Sequence, residues 1–130
     1  MATCVKALGE VALRVNDLEK SQRFYQEVIG LELIKRFEHA AFFRIADGYA
    51  GHTTIVALFD RGAPVEQDRT TIDHVAFTIA LEDYEAEKQR LGGLGLAVAT
   101  ATHEWVHWRS LYVRDPDNNE VEFVCYDPEA

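Results

Sequence analysis

One short pattern occurs twice in this chain and limits its fold more than any other feature. Glu10-Val-Ala-Leu-Arg-Val15 lies over His74-Val-Ala-Phe-Thr-Ile79 at an offset of 64 residues, and Val56-Ala57-Leu58-Phe59 lies over Val121-Glu122-Phe123-Val124 at an offset of 65. The first segment alternates in both copies. Val11, Leu13 and Val15, or Val75, Phe77 and Ile79, share one side, which is the two-residue period of a half-buried strand. A repeat this long within 130 residues predicts two copies of one supersecondary unit about a pseudo-twofold axis, not a solenoid.

The remainder of each half follows one plan. Asn16-Asp-Leu-Glu19 has the form of a capping box, so a helix should begin there and end at Gly30, a residue suited to the left-handed stop. Leu18, Phe24, Tyr25, Val28 and Ile29 give it an irregular apolar stripe. Strands are expected over 31–37, 41–46 and 53–59, and the polar run 60–71, with Gly62 and Pro64, reads as a linker. The second half then repeats the order. A strand over 72–79 precedes a helix over about 81–91 that Gly92-Gly93 stops, and strands over 96–100, 108–113 and 121–126 complete it. Asp115-Pro-Asp-Asn-Asn119 joins the last two as a tight turn, in which Pro116 presets φ and Asn118 tolerates the left-handed region. The expected fold class is α+β: two paired βαβββ modules, about 5–60 and 72–127, within a single domain spanning 1–130.

Composition narrows the partners. Acidic residues number 22 against 13 basic ones, a formal charge of −9, and no Lys/Arg cluster is present to neutralise nucleic-acid phosphates or meet an anionic membrane. No apolar run reaches the roughly 18 residues that span a bilayer. The N-terminus has no charged leader followed by an apolar core, which points to the cytoplasm. Cys4 and Cys125 are too few for a disulfide framework and suit a reducing compartment.

Each half has a helix for one face of its strands and nothing for the other, so the sheets are expected to curve around a shared cavity. Alternation sends Glu10, Ala12 and Arg14 to that open face in the first half, and His74, Ala76 and Thr78 in the second. The closing strand adds Glu122, Val124 and Tyr126, with Ala57 as the mate of Glu122. Glu10, His74 and Glu122 are thus mated inward positions bearing an imidazole and two carboxylates. Such a set makes a facial three-ligand metal site with open positions, and a metal removes the difficulty of burying these groups unpaired.

Several stretches resemble the vicinal oxygen chelate superfamily, which contains glyoxalase I, extradiol dioxygenases, fosfomycin-resistance proteins, methylmalonyl-CoA epimerase and bleomycin-resistance proteins. They are Val11-Ala-Leu-Arg-Val-Asn-Asp-Leu-Glu-Lys-Ser-Gln-Arg-Phe-Tyr25 with Gly30-Leu31, Asp73-His-Val-Ala-Phe77, and Tyr112-Val-Arg-Asp-Pro-Asp-Asn-Asn-Glu-Val-Glu-Phe123. The resemblance implies a cup-shaped mixed sheet that binds a divalent metal, and commonly a homodimer. The family's ligands fall on His74 and Glu122. Its first-module ligand, often His or Gln, falls on Glu10, and its fourth falls on Ala57, which cannot bind a metal. In glyoxalase I a carboxylate at that fourth position serves the proton shuttle, so the resemblance argues against lactoylglutathione lyase activity. The ion could be Mn, Fe, Mg, Ni or Zn, and the hard ligand set leans towards the first three.

Other residues are candidates for substrate contact. Trp105 and Trp108 could wall the cavity or form a half-buried edge strand, and Arg14 and Arg44 could hold an anionic group or neutralise the site's glutamates. Tyr126 could move a proton or be a core tyrosine. Two functions follow from these residues. One is a metal-dependent enzyme that binds vicinal oxygens of a small substrate to stabilise an enolate or oxyanion; the other is a metal-free protein that sequesters a small ligand, as in the bleomycin-resistance branch.

Overall fold

In the computed structural model, which describes residues 5–60, 62 and 72–130, each half of the chain builds its own four-stranded mixed sheet. The halves form two compact units, Met1–Val65 and Glu66–Ala130. The first carries β1 (Glu10–Arg14), α1 (Leu18–Arg23), β2 (Glu32–Arg36), β3 (Ala40–Asp47) and β4 (Thr53–Phe59), in strand order β1-β4-β3-β2. The second carries β5 (His74–Thr78), α2 (Tyr84–Gly93), β6 (Ala99–His103), β7 (Trp108–Arg114) and β8 (Glu120–Tyr126), in order β5-β8-β7-β6. First and last strands run parallel in both units and the other neighbours are antiparallel. Cys4 and the expected linker, Asp60 and Gly62 apart, lie outside the described residues.

The repeat seen in the sequence is also a repeat of register. Ala12 pairs with Ala57 in the first unit, and Ala76 with Glu122 in the second. Alternation holds as well: Leu13 and Phe77 are buried while Glu10, Ala12, Arg14, His74, Ala76 and Thr78 are exposed. The buried sides pack under the helices. Tyr25 and Phe43 close the first core with ring centroids 6.4 Å apart, and Phe77 and Phe123 stand at the same separation in the second. Among the described residues no helix is long and apolar enough to cross a membrane.

Three local expectations need correction. The first helix is capped by Asp17, not Asn16: the Asp17 carboxylate accepts the Lys20 N–H at 3.1 Å, and Glu19 pairs with Arg36 at 2.7 Å instead of reaching back. α1 then widens into a π-turn over Phe24–Ile29, which brings Phe24 and Ile29, five residues apart, to the buried side with Tyr25. That widening explains the irregular stripe, and Gly30 ends it at φ +89°. α2 runs through Gly93, the left-handed residue is Gly95 at φ +83°, and β6 starts at Ala99, three residues later than expected. The turn before β8 matches its reading, with Asn118 at φ +65°. The buried Asp115 carboxylate accepts the backbone N–H groups of Asp117 and Asn119 at 2.9 and 2.8 Å and fixes that turn.

Candidate metal centre

The second unit brings His74 and Glu122 together. His74 heads β5, Glu122 lies mid-strand on β8, and the imidazole Nε2 is 3.2 Å from Glu122 Oε1. Two donors each about 2.1 Å from one ion are about 3.0 Å apart at a right angle and about 3.4 Å at the tetrahedral angle, so this separation fits a shared divalent cation. The other nitrogen, Nδ1, meets Asp73 Oδ2 at 2.7 Å. A carboxylate on the outer nitrogen fixes the tautomer and ring orientation of a metal-binding imidazole. The Asp73 hydrogen bond holds the His74 pKa above its ordinary value against the opposing effect of burial, with Glu122 and Glu120 adding to the rise.

Glu122 is the buried member of the pair, its side chain 6% exposed. A carboxylate there requires partners, and the Ser110 hydroxyl on β7 donates to Oε2 at 2.5 Å. Oε1 is the oxygen turned to His74. Asp73, His74 and Glu120 also offer ligand atoms within 4.8 Å of one another. Asp73 is 90% exposed, so the buried Glu122 is the better first partner for His74, and Asp73 fits the outer role.

The register of β6, β7 and β8 adds three side chains on this face that the sequence reading did not single out. Tyr112 stands directly across from Glu122 and Ser110 across from Val124. His103, at the end of β6, contacts the Tyr112 hydroxyl through Nε2 at 2.9 Å. Burial raises the Tyr112 phenol pKa, Glu122 raises it further and a Ser110 hydrogen bond opposes. The two-residue period of β7, which puts Trp108, Ser110 and Tyr112 on one face, was the signal that could have found them.

The remaining candidates lie as follows. Glu10 heads β1 in the first unit, exposed, at the register position that His74 holds in the second. Arg14 is exposed on the same face of β1. Arg44, on β3, donates to Asp47 at 2.7 Å, and that bond holds its pKa up. Ala57 is fully buried. Trp105 is 85% exposed in a single 3-10 turn, and Trp108 is 43% exposed across from Tyr126. Tyr126 is 60% exposed, which corrects the reading of a core tyrosine. It stands four residues from Glu122, about 13 Å along the strand, with its ring edge-on to His107.

Comparison with known proteins places the chain in a family. The model of the Glyoxalase/Bleomycin resistance protein/Dioxygenase superfamily matches residues 7–123. The chain belongs to this superfamily. It is 31% identical over 122 residues to glutathione transferase FosA of Serratia marcescens, covering 91% of this chain and 79% of that protein. Lactoylglutathione lyase of Haemophilus influenzae is 28% identical over 86% of this chain and 87% of its own length. Among solved structures, a mutant of the fosfomycin resistance protein FosX from Listeria monocytogenes, complexed with Mn(II) and 1S,2S-dihydroxypropylphosphonic acid, superposes with a TM-score of 0.71. It is 26% identical, over 96% of this chain and 95% of that one.

Proposed function

We propose that this superfamily member is a metal-dependent enzyme acting on a small oxygen-rich anion, with His74 and Glu122 as metal ligands. The observation that carries the reading is the 3.2 Å approach of His74 Nε2 to Glu122 Oε1, with each group's other polar atom already engaged by Asp73 or Ser110. Glu10 occupies in β1 the register position of His74 in β5 and is the first unit's equivalent of that ligand. A bound divalent ion would supply Lewis-acid stabilisation of negative charge developing on substrate oxygen.

The chain's own groups prepare the site. Asp73 accepts the Nδ1 proton and leaves the Nε2 lone pair free, while Ser110 occupies Oε2 and leaves Oε1 free. Tyr112, protonated at neutral pH, offers an O–H beside Glu122 to a substrate oxygen. Trp108 and Tyr126 border the same face further along the strands. The relatives direct the substrate class towards phosphonates and related oxyanions. A homodimer, as the family resemblance implies, is the proposed working form, and analytical ultracentrifugation measures it.

The test is phosphorus NMR of the Mn(II)-supplemented protein with fosfomycin, with and without glutathione. A new phosphonate resonance, abolished in His74→Ala, supports the reading. Unchanged substrate under both conditions removes this substrate class.

A further inference from the structure

We infer that the cavity at the head of β1 is a binding subsite for a small aromatic carboxylate, with Lys6, Tyr49 and His52 as its polar contacts. The cavity holds about 440 Å³ and is lined by residues 6–9 and by Gly48, Tyr49 and His52, a size in the range of small-molecule sites. It lies wholly within the first unit, and the inference does not depend on the metal-centre reading.

The backbone is shaped around His52. After β3 the chain reverses through Tyr49–His52, closed by the His52 N–H donating to the Tyr49 carbonyl at 3.1 Å. Both central residues are left-handed, Ala50 at φ +53° and Gly51 at φ +83°, the form of a type I′ hairpin turn. The flanking residues of such a turn stand within about 7 Å of each other, so Tyr49 and His52 are neighbours. Alanine rarely adopts this conformation, and backbone strain of this kind collects at ligand-binding sites. Two glycines give His52 its place. A Cβ at Gly48 would collide with the His52 carbonyl, and one at Gly9 would stand 3.3 Å from His52 Cε1. The Ile55 N–H donates to the Gly9 carbonyl at 3.0 Å and ties the segment before β1 to β4.

The lining selects the ligand's chemistry. The chain carries 22 acidic against 13 basic residues, yet no carboxylate lines this cavity. Asp47, next to Gly48, is engaged by Arg44 at 2.7 Å, and neither Asp47 nor Glu10 is among the lining residues. Lys6, Tyr49 and His52 supply an ammonium, a phenol O–H and a ring N–H, each able to donate. None of these side chains has a hydrogen-bond or ion-pair partner among the described residues. Three unengaged donors with no carboxylate beside them favour an anion. Next to them Leu8 and Tyr49 leave large apolar surfaces exposed, which an ion without an apolar body would not cover. A carboxylate on a planar ring satisfies both parts: its oxygens accept from the donors, and its ring covers Leu8 and the Tyr49 side chain.

Fluorine-19 NMR titration of the metal-free full chain with 4-fluorobenzoate tests this, and the metal centre plays no part in it. Saturable binding is expected, with the imidazole signals of His52, assigned through His52→Gln, moving along the titration. The neutral isostere 4-fluorobenzamide should bind at least about 10-fold more weakly. Lys6→Met and Tyr49→Ala should each weaken 4-fluorobenzoate binding about 10-fold, the size expected when a contact to a charged group is lost. Lys88→Met, which removes a lysine from α2 instead, should bind as tightly as the wild type. No saturable binding, equal affinity for the amide, or unchanged affinity in Lys6→Met or Tyr49→Ala would overturn the inference. So would a weakening in Lys88→Met equal to that in Lys6→Met, or movement of other histidine signals without His52.

Discussion

The Ser110 hydroxyl donates to Glu122 Oε2 over 2.5 Å, and that contact determines which oxygen of a buried carboxylate is left for other chemistry. Ser110→Ala should leave Oε2 short of a donor in a place water reaches poorly. The expected loss of stability is about 2 kcal/mol, the range for an unsatisfied buried group next to charge, read by urea denaturation. Glu122→Gln removes the buried charge and keeps the shape, so the metal-free chain should be no less stable than wild type.

Tyr84 gives an alkaline prediction. Its hydroxyl donates to the Ser110 carbonyl at 3.2 Å, and burial raises its pKa above the ordinary 10.0 against the pull of Arg109. The neutral phenol is the form favoured by folding, so its contribution is complete below pH 10 and is lost as pH rises from there through the raised value. Tyr84→Phe should cost about 1 kcal/mol at pH 7 and flatten the fall in stability above pH 10.

The strands and the pairing of His74 with Glu122 were legible in the sequence because both rest on a period of two. Alternation of Val11, Leu13 and Val15 against Glu10, Ala12 and Arg14 sets the face, and the repeat sets the mates; the observed Ala12–Ala57 and Ala76–Glu122 pairings express both. The partners of those residues were not legible. Asp73 meets His74 through side-chain reach and through which ring nitrogen faces which oxygen, and neither is encoded in spacing. Helix ends were displaced for a related reason: Asn16 and Asp17 are both good caps, and backbone geometry chose the second.

Cys125 should be silent to thiol reagents in the native state. It is 1% exposed, its Sγ contacts the Arg109 carbonyl, and burial pushes the thiol pKa up. In a Cys4→Ser background, Ellman's reagent should give no fast phase without denaturant and one thiol per chain in guanidinium. A fast native phase would contradict the packing of β8.

The central claim is that His74 and Glu122 hold a divalent ion. Mn(II) binding followed by isothermal calorimetry on wild type, His74→Ala and Glu122→Gln tests it most directly. The account predicts one ion per chain in the wild type and at least about 100-fold weaker binding when His74 or Glu122 is changed, as expected for ligands rather than their outer partners. No uptake by the wild type, or equal affinity in the wild type and His74→Ala, would contradict it.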